Sequence, residues 1–105
     1  MMVTLERLRL EISGLDEAEL ERWIDAALVR AEGAEGARLF EEIDVARIRL
    51  IFELRHELDI EEQALPVVLS LMDQLYDLRR HGAKLNAALA DLPVEVRQAI
   101  LRRLG

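Results

Sequence analysis

Residues 65–92 read LPVVLSLMDQLYDLRRHGAKLNAALADL, and this stretch carries the clearest structural pattern in the chain. Its apolar side chains recur in steps of three and four residues, with Gly82 at the one missing position of the series, which places them along one side of a helix. Such alternation over about four heptads is typical of a coiled-coil helix that packs lengthwise against another helix. We call this stripe the seam; its members are Val68, Leu71, Leu75, Leu78, Leu85, Leu89 and Leu92. The first six are the predicted dimerisation residues.

The length of this helix favours a homodimer. At about 1.5 Å per residue, a continuous helix would extend roughly 40 Å, which is longer than the core of a 105-residue chain requires. We therefore predict that a second copy covers part of the seam. The alternative is a helix that ends at Gly82, because Arg79-Arg80-His81-Gly82 resembles a helix C-terminus. Two shorter helices would then fold back within a monomer.

Composition limits the fold class and the kinds of site. The chain is 51% hydrophobic and only 4% aromatic, and it is rich in Leu, Ala, Glu and Arg, so we predict a single all-α domain. It has no cysteine, which excludes disulfide bonds and thiolate metal sites. No charged-then-apolar leader opens the chain and no apolar run approaches 18 residues, so we expect neither a signal peptide nor a membrane span.

Residues 1–43 are predicted to form a helix-turn-helix with a wing. Thr4 is the expected cap of a short helix over residues 4–12, although Leu8, Leu10 and Ile12 also alternate like a strand. Asp16 is the expected cap of a second helix. The predicted buried face of that helix is Leu20, Trp23, Ile24, Ala27 and Leu28. The two glycines of residues 31–37 predict a small hairpin or loop as the wing.

The remaining chain is predicted to contain three further segments. A core helix capped near Asp44 and a turn occupy residues 44–63, the long helix residues 64–92, and a C-terminal helix opened by Pro93 residues 93–105. The expected apolar face of the core helix is Val45, Ile48, Ile51, Phe52 and Leu58. In the last helix, Val96, Ile100 and Leu104 are expected to point inward.

Three strings of residues resemble a known family in their order and spacing. They are Phe40-Glu41-Glu42, Leu54-Arg55-His56-Glu57-Leu58 and Leu69-Ser70-Leu71-Met72-Asp73-Gln74-Leu75. Together they resemble the chaperone-modulator family CbpM, small MerR-like winged-helix proteins that bind and inhibit a CbpA/DnaJ-type J-domain co-chaperone. The resemblance covers residues 4–90, and it departs at Ala27, where such proteins usually carry glycine, and after Asp91. It implies a cytoplasmic, homodimeric adaptor without catalytic activity or cofactor.

The residues themselves give little support for an enzyme. His56-Glu57 begins like the zinc motif H-E-x-x-H, but Ile60 stands where the second histidine is required. We therefore predict a structural histidine, with no catalytic or metal site.

Acidic residues are concentrated between Asp16 and Ala37, where seven Asp and Glu residues accompany only two Arg residues. Glu17, Glu21 and Asp25 recur every four residues on one helix face, and are the predicted partner-binding residues. Such a face is either simply solvated or docks a basic surface, since opposite fields orient association. The alternative function is a MerR-like transcription regulator, but a recognition helix and wing of this sign would repel DNA phosphates, so nucleic-acid binding is not expected.

Overall fold

The computed structural model describes residues 2–105, which are mostly helical, in agreement with the predicted all-α class. The elements are β1 (Val3–Thr4), α1 (Leu5–Glu11), α2 (Glu17–Asp25), β2 (Leu39–Phe40), α3 (Glu42–Phe52), α4 (Leu65–Ala90) and α5 (Val94–Leu104). A π-helical turn (Glu53–Glu57) follows α3, and a 3₁₀ turn (Glu62–Ala64) precedes α4. The chain divides into two compact units, an N-terminal unit that ends at Leu69 and a C-terminal unit, Ser70–Gly105.

The first two helices begin at the predicted caps. The Thr4 hydroxyl accepts a hydrogen bond from the Arg7 backbone N–H, and the Asp16 carboxylate accepts one from the Glu19 N–H, each at 3.3 Å. Helix α2 ends at Asp25, and Ala27 then turns the chain with a φ of +60°. Ala27 is therefore exposed beyond the helix rather than buried on its face.

Residues 32–39 form a small hairpin, for which we keep the name wing. Glu32 and Leu39 exchange two backbone hydrogen bonds of 2.8 and 2.9 Å, and Gly33 and Gly36 turn the loop between them with positive φ. Strand β2 continues from this hairpin and pairs antiparallel with β1, so that Phe40 lies opposite Val3. Strand β1 was not predicted, because two residues are too few to show an alternating pattern.

Helix α3 differs from its prediction at both ends. The cap is Glu41, and Asp44 is the reciprocal partner of a capping box, since its carboxylate accepts the Glu41 N–H at 3.0 Å. At the other end the Leu58 N–H bonds to the Glu53 carbonyl, five residues back. This wider turn removes Leu58 from the apolar face, and its side chain is exposed.

One hydrophobic core holds the N-terminal unit together. Trp23 and Phe40 are its largest fully buried side chains. The other members are Leu8, Ile12, Leu15, Leu20, Val29, Val45, Ile48, Ile51, Leu54, Leu65 and Leu69. Because Leu65 and Leu69 belong to this core, the first turns of α4 are part of the N-terminal unit.

Helix α4 passes without interruption through Gly82, as predicted, and Pro66 lies in its first turn, where a missing N–H is tolerated. Helix α5 follows Pro93 as predicted. The expected inward face of α5 was wrong, because Val96 and Leu104 are exposed and Ile100 is only half-buried.

No helix within residues 2–105 combines the length and the apolarity needed to cross a membrane.

Candidate functional site

The three acidic residues predicted on α2 lie in different surroundings. Asp25 is exposed and Glu17 is half-buried. Glu21 is largely enclosed, because both of its carboxylate oxygens accept hydrogen bonds from Arg38, from Nε at 3.0 Å and from Nη2 at 2.9 Å. The two side chains are only 13% and 16% exposed. The charge of Glu21 is therefore already matched within the chain.

Arg38 joins α2 to the wing. Its guanidinium also donates to the Gly33 carbonyl, so one side chain holds the hairpin against the helix. The hydrogen bond to Glu21 raises the pKa of Arg38, and burial partly offsets this increase. The nearby negative charges of Glu21, Asp25 and Glu35 raise the pKa further. A guanidinium held in this way is poorly placed to contact a DNA phosphate.

These residues define what we call the acidic surface: Glu17, Asp25 and Glu35, with the Glu21–Arg38 pair beside them. Glu35 comes from the wing, and its approach to α2 depends on how the hairpin folds. The sequence therefore signalled Glu35 only through the concentration of charge between residues 16 and 37. Three carboxylates remain around one neutralised pair, so the surface has a net negative charge.

A second polar cluster lies on the opposite edge of α2. Glu19 is buried, and its carboxylate is 2.6 Å from His56 Nε2 and 3.8 Å from the Arg22 guanidinium. The His56 ring packs against Phe52 with 4.8 Å between centroids. These contacts place His56 between the π-helical turn and α2.

Glu62 extends this cluster to the start of α4. Its carboxylate accepts the Trp23 indole N–H at 3.0 Å and lies 3.6 Å from Arg22 and 3.4 Å from Arg55. Through these contacts, the Glu62 carboxylate links α2, which carries Trp23 and Arg22, to the π-helical turn, which carries Arg55. The cluster therefore links α2 to the π-helical turn and to the 3₁₀ turn before α4, and we call it the brace.

The seam residues on α4 fall into two groups. Val68 packs against the core of the N-terminal unit, and Leu89 is buried. The four residues between them, Leu71, Leu75, Leu78 and Leu85, are 49–68% exposed. The middle of the seam is thus an apolar surface that the chain itself leaves in contact with water.

Within residues 2–105, no group of three or more His, Asp or Glu side chains is placed to hold a metal ion. The chain matches no protein-family model. Comparisons with curated proteins and with solved structures also returned no match.

Proposed function

We propose that this protein is a non-catalytic chaperone modulator that binds and inhibits a CbpA/DnaJ-type J-domain co-chaperone in the cytoplasm. The resemblance of residues 4–90 to the CbpM family suggests this partner. The observation that carries the proposal is the acidic surface, where Arg38 is committed to Glu21 while Asp25 and Glu35 remain exposed. J-domains present a basic helix, which complements such a surface.

The charge distribution supports the same partner. Residues 1–69 contain 17 Asp and Glu residues against 8 Arg residues, a net charge of −9, whereas residues 70–105 carry +2. A field of this sign attracts a basic surface and speeds its association. Inhibition would follow from occupancy, because the modulator would cover the basic surface that the J-domain offers to its chaperone.

We also propose that the protein is a MerR-like winged-helix homodimer. The order of helix, helix, hairpin and core helix, followed by the long α4, fits that architecture. The exposed leucines of the seam are the surface that a second copy would cover. Fully burying an exposed leucine is worth about 1.5–3 kcal/mol, and each of these four, at 49–68% exposed, can contribute roughly half of that toward association.

The direct test is titration calorimetry with a purified J-domain. The informative variant reverses Glu17 and Asp25 to Lys and leaves Glu21 intact, because a lysine at position 21 would lie against Arg38 and disturb the wing. The matched control is Glu53→Lys with Glu57→Lys, which makes the same charge change at exposed positions of the π-helical turn.

We expect wild type and control to bind the J-domain, and the Glu17/Asp25 variant to bind several-fold more weakly with an unchanged circular dichroism spectrum. Absence of wild-type binding would contradict the proposed function. Sequence-specific binding of duplex DNA by the wild type would replace it with the regulator function, and the two added lysines should then strengthen DNA binding.

A further inference from the structure

A groove of about 910 Å³ runs between the segment that follows α2 and the beginning of α3. It belongs entirely to the N-terminal unit and is partly open to solvent. The sequence patterns did not indicate it, because its two walls come from segments separated by the wing.

The floor and one wall of the groove are apolar. Ile24 and Leu28 are half-buried and pack on the hydrophobic core, so their positions are fixed. Ile43 stands at the wall and is 74% exposed. A single exposed isoleucine is ordinary, but one beside a half-buried apolar floor creates a surface on which a partner's aliphatic side chains can be removed from water.

The charged groups around this floor are mainly acidic. Glu32, Glu41 and Asp44 line the groove together with Arg30 and Arg47. Arg47 donates from Nε to the Leu28 carbonyl at 2.7 Å, so its guanidinium is engaged with the chain's own backbone. Three carboxylates against two guanidinium groups leave the groove net negative, within a unit that is itself strongly acidic.

The shape favours a polypeptide over a small molecule. Small-molecule pockets usually enclose 70–90% of their ligand, whereas this groove is only partly enclosed. An apolar floor with charged edges is the arrangement that accepts one face of an amphipathic helix. The charge requires that helix to carry Lys or Arg beside its apolar face.

We propose that this groove receives the apolar side of a basic amphipathic helix. The inference rests on the proposed function, and the helix is then the basic helix of the J-domain. Asp25 of the acidic surface directly follows Ile24 of the groove floor, so the two surfaces adjoin at the end of α2. The basic side chains would face the acidic surface while the apolar side chains enter the groove.

The test uses calorimetry with two probes, a purified J-domain and a synthetic helical peptide of Leu and Lys residues in amphipathic order. The variant is Ile43→Ser, and its matched control is Leu10→Ser, because Leu10 is 86% exposed on α1 and does not line the groove. A second pair tests charge: Glu32→Lys lines the groove, whereas Glu57→Lys makes the same change at a distance.

We expect Ile43→Ser to weaken binding of both probes about tenfold, which corresponds to roughly 1.4 kcal/mol. Glu32→Lys should weaken binding several-fold, and both control variants should bind with nearly wild-type affinity. Equal affinities for Ile43→Ser and Leu10→Ser would overturn the groove proposal even if the J-domain binds. Peptide binding that depends on Ile43, without J-domain binding, would support the groove and contradict the proposed partner. Binding of neither probe would overturn both.

Discussion

Among the individual residues, Ala27 occupies the least favourable backbone conformation for its type. Its φ of +60° is left-handed, a conformation that costs an L-residue roughly 1–2 kcal/mol and that glycine adopts freely. Ala27→Gly should therefore raise the free energy of unfolding by up to about 1 kcal/mol. The control is Ala26→Gly, which should lower stability, since Ala26 has an ordinary φ of −81°. Urea unfolding measures the free energy of unfolding of both variants, and a loss of stability in Ala27→Gly would contradict the left-handed conformation of Ala27.

Glu62 is the residue on which the brace between α2 and α4 depends. Its removal in Glu62→Ala would leave the Trp23 indole N–H without its acceptor and cost about 1–3 kcal/mol of stability. The neighbouring Glu61→Ala should be nearly neutral, because the Glu61 side chain accepts a bond from the exposed Gln63. Thermal unfolding followed by Trp23 fluorescence separates the two variants, and equal melting temperatures would show that the brace contributes nothing.

At the scale of elements, the continuity of α4 through Gly82 predicts how an alanine at this position changes the stability of the protein. Glycine inside a helix costs about 1 kcal/mol relative to alanine, and a Cβ at Gly82 would meet no atom within 4 Å. Gly82→Ala should therefore stabilise the protein. Gly36 also has open space around it but a φ of +91°, so Gly36→Ala should destabilise it. If both variants lowered the melting temperature, a helix end at Gly82 would be indicated.

Sequence patterns located helix beginnings better than helix ends. Thr4 and Asp16 are local signals because a capping side chain bonds within one turn, and Pro93 is one because proline favours a helix start. All three predicted a real helix start. The π-helical turn after α3 has no such local signal, so the wider turn that exposes Leu58 was missed. Local patterns could not predict the acidic surface either, because Glu21 and Arg38 are 17 residues apart and only the folded wing brings them together.

For the whole molecule, the first question is whether two copies pair. Replacing Leu75 and Leu78 with Asp would place charges in the seam of the proposed dimer, and such burial of unpaired charge is strongly unfavourable. We expect the double variant to sediment as a monomer and the wild type as a dimer. Arg80→Asp, on the other side of the same helix, should remain dimeric. Wild-type sedimentation as a monomer would contradict the proposed dimer.

The concentration of negative charge in the N-terminal unit predicts salt dependence for the proposed J-domain complex. The Debye length falls from about 10 Å at 0.1 M salt to about 3 Å at 1 M, which screens the attraction before the partners touch. Stopped-flow measurements should therefore show a slower association rate at high salt, with a smaller effect on dissociation. An association rate independent of salt would exclude electrostatic docking through this unit.

Helix α4 begins inside one core and continues into a different environment. Leu65 and Leu69 are fully buried, whereas all residues from Ser70 to Ala88 are exposed. We expect the Leu69 amide to exchange with deuterium mainly when the N-terminal unit opens, whereas amides beyond Ser70 can exchange by local opening of the helix. A single unbroken helix should thus show two protection levels in the isolated chain. Pairing of two copies would raise only the second level, and the exchange profile along α4 would then locate the partner helix residue by residue.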